Sequence, residues 1–118
     1  MSETYKVDQD LRLELLRWAW ENGAQDSGDE SDSDLEAIYA ARVEWLEGLL
    51  GIVLEKHDPT YGEGWAWSIV TETDRIVAVS HVMGMPIEQA ATEAAKARSL
   101  IIEDIAQSKY DWISGRAY

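Results

Sequence analysis

The stretch Trp65-Ala66-Trp67-Ser68-Ile69-Val70-Thr71-Glu72-Thr73-Asp74-Arg75-Ile76-Val77-Ala78-Val79-Ser80 decides how the rest of the chain is read. Its first half alternates with a period of two, which places Trp65, Trp67, Ile69 and Thr71 on one side of a strand and Ala66, Ser68, Val70 and Glu72 on the other. Thr73-Asp74 supplies a short connection, and the β-branched run Arg75 to Ser80 follows, so the spacing predicts a β-hairpin. Tyr61-Gly62-Glu63-Gly64 is the turn that leads into it.

Downstream, Pro86 opens a helix that runs to about Gln107 and sets Ile87, Ala90, Ala91, Ala94, Ala97, Ile101 and Ile105 along one face. Small side chains let a helix axis approach a sheet closely. The row Trp65, Trp67 and Ile69 is expected to fill the space that the alanines leave. A two-stranded hairpin is marginal in water, so the strand-strand-helix of residues 61–107 needs completing. One candidate is a strand at Tyr110-Asp111-Trp112-Ile113, in the segment 108–118 that is otherwise a tail. The other is a partner chain pairing with an open edge, which makes a homodimer.

Upstream, Asp8 or Asp10 caps a helix that ends at Asn22 with Gly23 as its stop. Leu11, Leu15, Trp18 and Ala19 share one face, widened by Leu13, Leu16 and Trp20. Residues 24–34 hold no large apolar side chain to offset the entropy of ordering them and read as an acidic mobile loop. Ser33 and Asp34 then cap a second helix with Leu35, Ile38, Tyr39, Val43, Leu46, Leu50 and Val53 at helical spacing, ending at the latest by Asp58-Pro59. Gly48 and Gly51 fall inside this helix, where they are expected to leave a notch for another backbone. The expected whole is a single α+β domain over 1–118: a helical hairpin at 8–57, then a β-hairpin, then a long C-terminal helix packed on the sheet.

The chain has 118 residues, 46% hydrophobic, with no cysteine and a net charge of −13. Disulfides, thiolate metal sites and cysteine nucleophiles are therefore excluded. The longest apolar runs, Leu49 to Leu54 and Ile76 to Val79, are far short of the roughly 20 residues that a membrane span needs. The polar, acidic residues 1–10 lack the order of a secretory signal, so a cytoplasmic protein is expected. Such a charge repels phosphates and anionic lipid, which argues against direct nucleic-acid binding and for a basic protein partner. The acid is uneven: residues 1–58 hold 15 acidic and 5 basic side chains, residues 59–118 hold 8 and 5.

No constellation of side chains carries chemistry. His57 and His81 lie outside any metal-binding spacing. A calcium loop starting at Glu30, Asp32 and Asp34 fails because Leu35 stands where the turn requires glycine. Ser31 and Ser33, each with an acid three residues on, are possible phosphorylation sites. Gly62-Glu63-Gly64 lacks the Lys-Ser/Thr of a phosphate loop, and no serine sits in a nucleophile elbow. No cofactor is implied and an enzyme is the least favoured class. Of the six tryptophans, Trp45, Trp65 and Trp67 suit the core, whereas Trp18, Trp20 and Trp112, with the acids Asp29, Glu30, Asp32 and Asp34, are the candidate partner-binding residues.

Two local patterns carry resemblances. Leu11-Arg12-Leu13-Glu14-Leu15-Leu16-Arg17-Trp18-Ala19, an acidic gap, and Ala41-Arg42-Val43-Glu44-Trp45-Leu46-Glu47-Gly48 together resemble a helical hairpin of small accessory proteins of actinobacterial phages. The strand pair followed by Pro86-Ile87-Glu88-Gln89-Ala90 is similar to the strand-strand-helix of HicB-type antitoxins, without their Gly-Cys segment. The phage resemblance implies a short protein that acts by binding another macromolecule in a bacterial cell. It carries over no catalytic residue. Three functions are thus open: a non-enzymatic interaction protein, an acidic DNA mimic that occupies a nucleic-acid-binding host protein, and a small ligand-binding domain or enzyme with a pocket between sheet and helix near His81.

Overall fold

A computed structural model describes residues 5–23, 31–56, 64–81, 84–108, 110–111 and 116–117. The architecture is α+β, with N-terminal helices, a strand hairpin and a C-terminal helix packed on an antiparallel sheet. The chain divides into two compact units, one of residues 1–8 and 50–100, the other of residues 9–49 and 101–118.

The first unit holds a four-stranded antiparallel sheet made of β1 (Tyr5–Val7), β2 (Gly51–Lys56), β3 (Trp65–Val70) and β4 (Ile76–Ser80), in the order β1-β4-β3-β2. The hairpin expected at 65–80 is its centre. Thr71 makes the turn: its Oγ1 accepts from the backbone N–H of Thr73 (3.3 Å) and Arg75 (3.2 Å). Asp74 takes φ of 62°, a left-handed conformation that Asp tolerates better than most residues.

What completes the hairpin differs from both expectations. Gly51–Lys56, expected inside a helix, is strand β2 and pairs along all of β3, from Gly51 opposite Val70 to Lys56 opposite Trp65. Gly51 interrupts the helical run, and the β-branched pair Ile52-Val53 fits a pleated sheet better than a helix. On the other side, β1 pairs with β4, with Tyr5 opposite Ser80 and Val7 opposite Ala78. Tyr110–Asp111 is a strand, β5, but it pairs with β6 (Arg116–Ala117) in a separate two-stranded sheet. Trp112 and Ile113 fall outside the described residues.

The packing of the C-terminal helix, α3 (Ile87–Gln107), follows the sequence pattern. Ala90, Ala94 and Ala97 are buried, and so are Trp67, Ile69 and Ala78 on the facing strands. The Trp67 indole N–H reaches a Glu93 carboxylate oxygen at 3.4 Å, and the Tyr5 ring lies 5.7 Å from the Trp67 ring. Arg98 ties the helix to the start of β2 by donating to the Leu50 carbonyl at 2.9 Å. Ile87 and Ala91, expected on the buried face, are exposed: Ile87 lies in the first turn, and Ala91 is one position round from Ala90.

The second unit holds α1 (Gln9–Asn22), α2 (Asp32–Leu49), the end of α3, β5 and β6. Its core comprises Leu11, Leu15, Leu16, Ala19, Leu46, Ile101, Ile102, Ile105 and Ala106. Helix α2 starts two residues earlier than the expected cap. Ser31 precedes it, with the Asp34 N–H donating to Ser31 Oγ at 3.4 Å and that hydroxyl donating to Asp34 Oδ2 at 2.9 Å. The Ser31 hydroxyl therefore serves as the N-cap of α2, held by the acid three residues on.

The end of α1 lies close against α2 at Gly23. A Cβ there would lie 2.7 Å from the Ala19 oxygen and 3.0 Å from the Arg42 Cα, so only glycine lets the end of α1 meet α2. At Gly48 and Gly51 a Cβ would meet nothing within 4 Å, so neither is the notch that the sequence suggested.

Candidate functional site

Of the seven candidate residues, three have described side chains: Trp18, Trp20 and Asp34. Asp29, Glu30 and Trp112 lie outside the described residues, and for Asp32 only the backbone, the first residue of α2, is described. Asp34 is spent on the capping of α2. Trp18 and Trp20 are both half-buried on α1.

Trp20 belongs to a cluster that the sequence did not reveal. Arg42 on α2 is 1% exposed, and its guanidinium carbon lies 6.0 Å from the Trp20 ring centroid. Arg42 Nη1 donates to the Ala106 carbonyl at 3.1 Å. Ala106 is in the last turn of α3, where carbonyls lack helical partners and the helix dipole is negative. Helix α3 has no basic residue in its own last turn. Cations from the other helices take that role: Arg42 from α2, and Arg12 from α1, which binds Asp104 Oδ2 at 2.7 Å and Ser108 Oγ at 3.0 Å. Such contacts hold a helix end in place.

His81 is exposed after β4, and His57 lies outside the described residues. Among the described residues, no three His, Asp or Glu side chains gather closely enough to hold a metal ion. No helix among them is long and apolar enough to cross a membrane.

The surface that stands out is the face of the sheet turned away from α3. Alternation along β3 places Ala66, Ser68 and Val70 there, and the pairing adds Val53 and Glu55 from β2 and Lys6 from β1. Strand β4 contributes through a bulge. Ile69 pairs with Ala78 and Val70 with Ile76, so Val77 is an extra residue on that strand. Val77 and Ala78 are both buried, whereas Ile76 and Val79 emerge on the opposite face, 52% and 36% exposed.

The large side chains Ile76 and Val79 form a ridge along β4, beside a groove of about 250 Å³ floored by Ala66 and Ser68 on β3. Along its edge strands this face carries Lys6 on β1 and Glu55 on β2, both exposed. Sequence reasoning missed it because β2 reads as helix, β1 is three residues long, and the bulge shifts the phase of β4. The alternation of β3 was the one signal present, and it marked Ala66, Ser68 and Val70 only as the side opposite the tryptophans.

No family model, no curated protein and no solved structure matches this chain.

Proposed function

We propose that this protein is a non-enzymatic interaction module that binds another protein chain through the open face of its sheet. The observation that supports this best is the exposure of Ile76 and Val79 at the centre of that face, since apolar ridges left to solvent mark contact surfaces when they are contiguous. The clustered arginines Arg12 and Arg42 are committed to helix ends, which leaves the sheet face as the better candidate for a partner. The edge strands of the face carry one charge of each sign, Lys6 and Glu55, so the case for a basic partner rests on the acidic residues 24–34.

The test compares the native chain with the double variant Ile76→Glu and Val79→Glu, each checked for folding by circular dichroism. Association is measured by light scattering and by capture from an extract of the source cell. The expected outcome is association, with itself or with another protein, that the double variant loses. A native chain that stays monomeric and captures nothing, or a double variant that associates equally well, overturns the proposal.

A further inference from the structure

Building on that interaction surface, we infer that its occupant is a second copy of this chain, docked sheet to sheet about a two-fold axis that runs parallel to the strands. Two independent features of the face select this arrangement. The first is shape. An axis along the strands, passing between β3 and β4 at the middle of the order β1-β4-β3-β2, lays the partner's β4 over β3 and the partner's β3 over β4. Val79 of each copy then sits over Ser68 in the other's groove, and Ile76 sits over Val70. An axis across the strands stacks β4 on β4 and β3 on β3, ridge against ridge and groove against groove.

The second feature is charge. The same strand-parallel axis brings β1 of one copy over β2 of the other, so Lys6 faces Glu55 twice, once at each edge. Lys6 lies in the row of Val79, Ser68 and Val53, and Glu55 in the row of Ala66, two residues along the strands. That offset is about 7 Å, within the joint reach of a Lys and a Glu side chain across sheets packed about 10 Å apart. The crosswise axis offers no such pairing, because it keeps Lys6 over the partner's β1. Each copy carries a charge of −13, but at physiological salt the field fades over about 8 Å, so groups on the face itself set the local balance.

Charge exchange tests the inference, measured by sedimentation equilibrium on the full chain. Lys6 and Glu55 are both exposed, so their reversal leaves the fold intact, and circular dichroism verifies this. The native chain is expected to be a dimer. Lys6→Glu and Glu55→Lys are each expected to weaken it about ten-fold, because two attractive pairs become two repulsive ones. The combined variant restores both pairs and returns the dissociation constant to within about three-fold of native.

Mixing the two single variants is the sharper arm: a Lys6→Glu chain facing a Glu55→Lys chain satisfies both pairs, so the mixture associates more tightly than either variant alone. Single reversals without effect, or a mixture no tighter than its components, overturn the two-fold arrangement. A monomeric native chain that still captures another protein through Ile76 and Val79 overturns the second copy while leaving the interaction module standing.

Discussion

The two faces of the sheet are built from neighbouring residues of the same strands, yet they differ in what they meet. Under α3, Trp67 and Ile69 are buried, as are Ala90, Ala94 and Ala97 of the helix. On the far side, Ser68 and Val79 pair across β3 and β4, and Ser68 is half-buried while Val79 is exposed. Apolar character alone does not separate the faces, since Ile76 and Val79 are as apolar as Ile69. What separates them is burial: Ile69 is fully buried, whereas Ile76 and Val79 are exposed.

The largest expected effect breaks the closed face. Trp67→Ala removes the ring packed under the alanines of α3, beside Tyr5, and should cost about 3–5 kcal/mol, a large share of the roughly 5–15 kcal/mol that holds a domain together. Urea unfolding followed by circular dichroism measures it. A loss below about 1 kcal/mol would mean that the helix and sheet do not depend on that ring.

The same contrast between crowded and open sites recurs at the glycines. Gly23→Ala drives a Cβ against the Ala19 oxygen and the Arg42 Cα and should destabilise by about 1–3 kcal/mol. Gly48→Ala, helical and facing open space, should stabilise by up to about 1 kcal/mol. Paired melting curves check both signs at once. The smallest effect sharpens the open face: Ile76→Thr, measured in dilute solution, should change stability by no more than about 0.5 kcal/mol, because the side chain is half exposed in the single chain.

These contrasts also mark how far the sequence could be read. The period of two in Trp65 to Thr71 and the alanine face from Ala90 to Ala97 each report a backbone geometry and a buried side, and hairpin and helix stand where they predicted. Gly51-Ile-Val-Leu was misread because Leu46, Leu50 and Val53 keep helical spacing through a glycine, and only the cross-strand pairing with β3 distinguishes the strand. Strand β1 is too short to generate a period at all. The capping role of Ser31 was present in its spacing to Asp34 but competed with a second Ser two residues on. For the candidate site, tryptophan and acid content drew attention to side chains that cap helices, pack beside Arg42 or lie outside the described residues. The open face has no compositional signature, because it is made of common residues brought together by pairing across four strands.

The bulge at Val77 also determines how the sheet tolerates changes in chain length. Removing a residue from a regular strand turns every side chain on one flank to the opposite face. Strand β4 has a surplus of one opposite β3, so excising Val77 would close the bulge and leave Ile76 opposite Val70 and Ala78 opposite Ile69, each on its present side. The deletion forfeits one buried valine and the carbonyl that accepts from the Asp8 N–H, while the pattern of both faces survives. Excising Ser68 from β3 instead would invert half of the central strand and expose Trp67 or Ile69. Position 77 is therefore where this sheet can absorb the loss of a codon.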